Sequence, residues 1–223
     1  VGGAVTRTGP KFNLNVNYGL THIFYPSLDE DNNEFRHNLI TETQSEIIDD
    51  QLFFDVSGSI AQRFVDRSET FSTSEVSRSA NRDTVTIIDA SPYHVSKLGS
   101  NFAVMTTRYR FNFLNSKENV SIFGVDVGDF NVKSHDFSTT FDSGTRFNKL
   151  SWSWLNSYQA LRFSNIQNDN IYISNLTLNY DYSRFFTFIS SIGYNRRNDF
   201  ISPDRGTFSG VVWRVGGRLT PGP

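Results

Sequence analysis

The chain has 223 residues, with 21 basic against 23 acidic side chains and a formal charge of −2, a balance that offers nucleic acid no electrostatic footprint. It contains no cysteine, which excludes a disulfide framework and any thiolate metal site. Mean hydropathy is −0.40 and no apolar run approaches the ~20 residues of a membrane-spanning helix; a β-barrel is not excluded, because alternating strands hide their lipid-facing half from a hydropathy average.

The opening "VGGAVTRTGP" has no basic n-region and no apolar h-region, so an export signal is expected to have been removed or to lie outside this chain. Ten alternating segments follow. "KFNLNVNYGLTHIFY" sets Phe12, Leu14, Val16, Tyr18 and Leu20 against Asn13, Asn15, Asn17, Gly19 and Thr21, the period-two signature of a strand with a different solvent on each side. The acidic stretch "PSLDEDNNE" leads to the weakly alternating "FRHNLITETQSEII", then a "DDQ" turn and "LFFDVSGSIAQRF", where Leu52, Phe54, Val56, Ile60 and Phe64 share a face. A long polar loop precedes "TVTIIDASPYHV", a "SKLGS" turn and "NFAVMTTRYRFNF", in which Met105, Tyr109, Phe111 and Phe113 oppose Arg108, Arg110 and Asn112. "VSIFGVDVGDF" is open between a strand extension and a structured loop. The second half reads as "SHDFSTTFDSG", "LSWSWLNSYQALRF", the hairpin "NLTLNYDYSRFFTFISSIGYN" and "TFSGVVWRVGGRL". In that hairpin a three-residue turn, Ser183 to Phe185, would pair Tyr182 with Phe186 and Tyr180 with Phe188.

Connections after odd segments, near 26–34, 65–83, 115–133, 164–170 and 197–206, are long and polar, while those after even segments are short turns. Short turns on one side and longer loops on the other are the up-and-down plan of an outer-membrane barrel, whereas soluble sandwiches use crossed connections. The expectation is therefore an all-β fold: an up-and-down antiparallel transmembrane β-barrel of about ten visible strands, one domain over 1–223. Tyr18, Tyr109, Trp152, Trp154, Tyr180, Tyr182, Tyr194 and Trp213 are the candidates for interfacial girdles, their polar tips at headgroup level; Tyr158 belongs with them. Opposite the apolar rows fall Asp55, Arg63, Arg108, Arg110, Asp181, Arg214 and Arg218, with Glu42 and Glu46, as candidate lumen-lining groups. They form a mixed set with a basic excess. Such walls either select solutes by charge in a wet pore or pair across the interior and plug it.

From about Phe35 onward the sequence resembles the PEP-CTERM-system-associated outer-membrane β-barrel family, proteins encoded with exosortase and exopolysaccharide loci. "LFFDVSGSIAQRFVD", "SPYHVSKLGSNFAVMTTRYRFNF", "SHDFSTTFDSGTRFNKLSWSWLNSY", "LTLNYDYSRFFTFISSIGYN" and "VVWRVGGRLTP" carry the resemblance. These are strand-and-turn patterns without a catalytic signature. The resemblance implies a role in exopolysaccharide export or surface assembly, and a longer chain with more strands after the "TP" turn. The ending in "GRLTPGP", without the terminal aromatic strand common in such barrels, agrees with an incomplete copy of a longer protein.

Chemistry is sparse in the sequence. His22, His37, His94 and His135 lack the spacing of a zinc site. "DEDNNE" copies the start of a calcium loop at Asp29, Asp31 and Asn33, but Glu34 stands where the glycine belongs and Ile40 where the bidentate glutamate belongs; loose divalent binding is the most that follows. There is no G-x-S-x-G elbow and no P-loop spacing. The reading is a non-enzymatic protein of a Gram-negative outer membrane, without cofactor or metal, whose partners are the lipid bilayer and other envelope or polysaccharide-export proteins. A porin-like diffusion channel and a structural scaffold anchoring an envelope complex are the alternatives of the same class. A soluble secreted β-sandwich or adhesin is the alternative of another.

Overall fold

The computed structural model describes residues 1–23, 34–64, 82–116, 121–122, 125–126, 130–164, 168–198 and 207–220, with the backbone alone described at 34, 62–64, 82–83, 121–122, 125–126 and 130. Alternation becomes strand throughout: β1 (Gly2–Thr8), β2 (Phe12–Ile23), β3 (Glu34–Ile48), β4 (Leu52–Phe64), β5 (Arg82–Leu98), β6 (Ala103–Ser116), β7 (Ser121–Ile122), β8 (Val125–Asp126), β9 (Phe130–Ser143), β10 (Leu150–Phe163), β11 (Asp169–Ser183), β12 (Phe186–Asn198) and β13 (Thr207–Leu219). Eleven of them form one antiparallel meander in the order β1-β2-β3-β4-β5-β6-β9-β10-β11-β12-β13, and β7 pairs only with β8. Every strand of the large sheet lies beside its sequence neighbour except at β6–β9, where the small β7–β8 pair intervenes. Within "VSIFGVDVGDF" the described residues form the small pair Ser121–Ile122 with Val125–Asp126 and, at Phe130, the start of β9; the rest of the stretch lies outside the described residues. A soluble sandwich is set aside, because the described strands supply no second packed sheet.

The count is eleven rather than ten, since "VGGAVTRTGP" also contributes a strand, Gly2 to Thr8 pairing with Gly19 to Asn13. Its two glycines and lack of apolar alternation conceal it in the sequence. The β11–β12 hairpin also differs from expectation. Tyr180 does pair with Phe188, but Ser183 faces Phe186 across the two-residue turn Arg184–Phe185, and Tyr182 is the extra residue of a bulge. A bulge absorbs one residue without flipping the strand, so the apolar face is preserved on both sides. The connection 164–168 is no longer than 144–149, because Leu161 pairs with Asp169 and takes up residues expected in the loop. Asn195 to Asn198 likewise belong to β12.

The register resolves two faces, since directly paired residues project to the same side. One bears Tyr18, Phe54, Ile88, Tyr109, Phe137, Trp154, Tyr158, Tyr172, Leu178, Tyr180, Phe188, Ile192, Tyr194 and Trp213, all exposed. The other bears Asn13, Asn15, Asn17, Glu42, Gln44, Asp55, Ser57, Asp89, Arg108, Arg110, Asp136, Ser138 and Thr177. Along β11 the exposed residues Tyr172, Leu178 and Tyr180 alternate with half-buried Ile171, Ile173, Thr177 and Asn179, so there the polar side is the more sheltered one, whereas on β2 and β3 Asn13, Asn15, Asn17, Glu42 and Gln44 are themselves exposed. The two most buried larger side chains are Asp169 and Ser91, at 0% and 1% exposure, both on the polar side. This inverts the arrangement of a soluble core, where large apolar groups are the buried ones.

Short connections gather at one end of the sheet. There Gly99, Ser100 and Asn101 take positive φ (51°, 48° and 69°), a left-handed run made accessible by glycine and asparagine. Gly144 donates its N–H to Phe102 O at 2.8 Å, and a Cβ there would fall 1.9 Å from Asn101 O. Only glycine fits that crossing of backbones.

Candidate functional site

The polar face of β1–β5 forms a groove. Its larger cavity, about 460 Å³, is lined by Thr6, Thr8, Asn13, Asn15, Glu42, Gln44, Asp55, Ser57 and Asp89 among others. A second of about 240 Å³ continues toward the short-turn end and adds Lys11, Glu46, Phe53 and Tyr93 while sharing Asn13, Gln44 and Asp55. Register explains this assembly: Asn15, Glu42 and Ser57 are successive partners across β2, β3 and β4, as are Asn13, Gln44 and Asp55.

Four charges on and beside this wall are paired sideways. Arg108 Nη1 lies 3.8 Å from Asp55 Oδ2 and donates to Ser91 Oγ at 3.1 Å; Arg110 Nε lies 3.6 Å from Asp89 Oδ2. These side chains are about a quarter to a half exposed, so the pairs are solvated and each contributes little to stability. The Arg108 guanidinium also covers the Tyr93 ring at 4.1 Å from its centroid, while Phe53 stacks on Tyr93 at 4.8 Å with rings 11° from parallel. Arg108, Tyr93 and Phe53 are neighbours across β6, β5 and β4. They form a continuous cation–aromatic stack within the polar wall.

Elsewhere on the same face, Asp181 accepts a hydrogen bond from Thr187 Oγ1 at 2.6 Å, and Arg218 is the β13 partner of Thr187. Arg214 is the partner of Ser191. Asp136 accepts from Ser134 Oγ at 2.7 Å, to which Gln159 Nε2 also donates at 3.3 Å. Asp169 Oδ2 holds Arg197 Nε at 2.8 Å, and its Oδ1 is buried without a hydrogen-bond partner. At the short-turn end Lys11 is ion-paired with Asp49. That hydrogen bond holds the Lys11 ammonium above its ordinary pKa and the Asp49 carboxyl below its own.

Of the seven lumen candidates, Asp55, Arg108 and Arg110 come together in one cluster. Asp181, Arg214 and Arg218 lie farther along the same face, and Arg63 takes the same parity on β4, its side chain outside the described residues. The supposed basic excess changes, because Asp89, Asp136, Asp142, Asp169, Lys97 and Arg197 join this face. Asp89 and Tyr93 escape sequence reasoning because "TVTIIDASPYHV" carries Ile87 and Ile88 side by side and no clean parity. Phe53 is hidden by Phe54 for the same reason. The face is also less uniformly polar than expected, with Leu155, Ile171, Ile173 and Ile189 on β10–β12. The calcium-like Asp29, Asp31 and Asn33 lie outside the described residues. Among the described residues no three His, Asp or Glu side chains are grouped to hold a metal ion.

Tyr18, Tyr109, Trp152, Trp154, Tyr180, Tyr194 and Trp213 occupy the opposite, apolar face; Tyr182 sits in the bulge, 71% exposed. Polar tips find partners there. Tyr18 OH shares a 2.9 Å hydrogen bond with His37 Nδ1 and Tyr109 OH a 2.7 Å one with His135 Nδ1. Trp154 Nε1 donates to Ser174 Oγ at 3.2 Å, and Ser174 Oγ to Asn156 Oδ1 at 2.8 Å.

No family model and no curated protein matches the chain. Among solved structures it is similar to OmpT (in-vitro folded), an outer membrane protein of Vibrio cholerae, with a TM-score of 0.54 and 12% identity over 96% of this chain and 62% of that one. The chain therefore spans less than two thirds of that structure. At this identity the likeness concerns the fold alone: the single antiparallel meander is that of an outer-membrane-type β-barrel.

Proposed function

We propose that this chain is a non-enzymatic outer-membrane protein whose polar face walls a hydrophilic passage, and that the passage serves exopolysaccharide export or surface assembly. The observation that carries the reading is the groove on the polar face, set behind an apolar face whose large side chains are exposed to their surroundings. In lipid such a face is satisfied and the groove stays wet. A wall of amides and hydroxyls, in which Asp55 and Asp89 are matched sideways by Arg108 and Arg110, offers hydrogen bonds to a neutral, hydroxyl-rich cargo. The Phe53–Tyr93 stack adds an aromatic surface of the kind that packs against sugar rings.

A porin-like diffusion channel is the second reading, favoured by the alternation of Asp55, Asp89, Arg108 and Arg110 along one wall, which would sort small solutes by charge. Planar-bilayer recordings of the detergent-folded protein test both. A passage predicts conductance; block of that conductance by neutral oligosaccharide supports the export reading, and its indifference to oligosaccharide with an ion selectivity altered by Arg108→Glu supports the diffusion channel. A folded, bilayer-inserted protein without conductance would contradict both and leave a scaffold.

A further inference from the structure

On the apolar face, aromatic and imidazole groups give way to cations toward the end with the longer connections. Lys133 lies two residues beyond His135 on β9, Arg162 four beyond Tyr158 on β10, and Arg196 two beyond Tyr194 on β12. Lys133 and Arg162 are direct cross-strand partners. Their Cβ atoms are thus about 5 Å apart on one surface, an arrangement that repels unless an anion lies between the charges. Among the described residues, Lys133, Arg162 and Arg196 have no carboxylate partner.

Arg162 is nevertheless held in place. Its Nη1 donates to Asn170 Oδ1 at 2.9 Å, to Leu161 O at 3.1 Å and to Asp169 O at 3.4 Å, while Tyr158 OH donates to the same Asn170 oxygen at 3.2 Å. One edge of the guanidinium is fixed and no carboxylate occupies the rest. Lys133 stands exposed beside it.

We propose that Lys133 and Arg162, with Arg196 at the margin, form a binding surface for the phosphate groups of an anionic glycolipid in the outer leaflet. Tyrosine and tryptophan mark headgroup depth, and the longer connections mark the external side. Cations just beyond that level meet phosphates, and a fixed guanidinium beside a mobile ammonium suits a doubly charged oxyanion. The proposal rests on the barrel's orientation in the membrane and not on whether its interior conducts.

The test uses the detergent-folded chain, verified by a heat-dependent shift in gel migration, with bis-phosphorylated lipid A and its dephosphorylated form as probes. Saturable binding of the phosphorylated lipid at least tenfold tighter than that of the dephosphorylated one is expected, with a rise of several degrees in the unfolding midpoint. Lys133→Ser with Arg162→Ser should abolish the difference, whereas Arg214→Ser with Arg218→Ser, on the other face, should preserve it. Should the Arg162 variant fail to fold, Lys133→Ser alone removes an exposed side chain without a partner and is expected to weaken binding several-fold. Equal binding of the two lipids by the wild-type chain, or undiminished preference in a folded Lys133 variant, would overturn the proposal.

Discussion

Ile192 shows what the apolar face demands of a single residue. It lies between Leu176 and Trp213 on the neighbouring strands and is 55% exposed. In lipid, Ile192→Arg is expected to cost about 2–4 kcal/mol, the range for a cation near the bilayer midplane. Thr177→Arg, on the polar face between Ser153 and Ser191, is expected to cost under about 1 kcal/mol. Unfolding titrations of both variants in lipid vesicles check this, and equal losses would remove the distinction between the faces. The Lys11–Asp49 pair carries a pH signature of its own. Asp49, with its pKa lowered by Lys11, stabilises the fold above the ordinary carboxylate range, and that contribution fades as pH falls through its depressed value. Lys11, with its pKa raised, loses its contribution as pH rises through the raised value. Both side chains are exposed, so the effect is small and sensitive to salt. At low salt the midpoint difference between wild type and Asp49→Asn should narrow toward acid pH; a difference independent of pH across the carboxylate range would contradict the pairing.

Strands and turns show how much the sequence disclosed. Clean alternation made β2, β6, β10 and β13 legible, since one residue in two had to be apolar. Where both parities are apolar, as at Phe53–Phe54 and Ile87–Ile88, alternation loses its meaning and cross-strand register decides the face. That is why the Phe53–Tyr93–Arg108 stack emerges only in three dimensions, while the alternation of β6 itself sets Arg108 and Arg110 on one shared face. The strand β1 was missed because Gly2, Gly3 and Ala4 pair through backbone alone. The bulge at Tyr182 was missed because a two-residue and a three-residue turn read alike in "YSRFF". Turn geometry also yields a prediction. Gly144→Ala would drive a methyl group into the Asn101 carbonyl, so the β9–β10 turn must shift, at a cost of about 1–3 kcal/mol. Gly216→Ala, with open space around its position, should be close to neutral. Comparing the two by heat-dependent migration checks the assignment, and matched midpoints would contradict the close approach.

For the whole molecule, the sheet is a wall with two unlike solvents. β1 and β13 leave unpaired edges among the described residues, and a lipid environment does not tolerate open backbone hydrogen-bonding groups. In a membrane both edges must therefore be paired, with each other, with further strands or with another chain. Within the wall, eleven strands joined in sequence order make each hairpin dependent on its neighbours, so stability is distributed along the meander. The most direct measurement of that two-solvent arrangement is a spin-label scan of β12 from Phe186 to Tyr194 in lipid vesicles, reading accessibility to oxygen and to a water-soluble nickel chelate. Labels at Phe186, Phe188, Ser190, Ile192 and Tyr194 should favour oxygen, and those at Thr187, Ile189, Ser191 and Gly193 the nickel chelate, with a strict period of two. Uniform exposure to the chelate along the whole strand, or the opposite phase, would contradict a membrane barrel whose apolar face meets lipid.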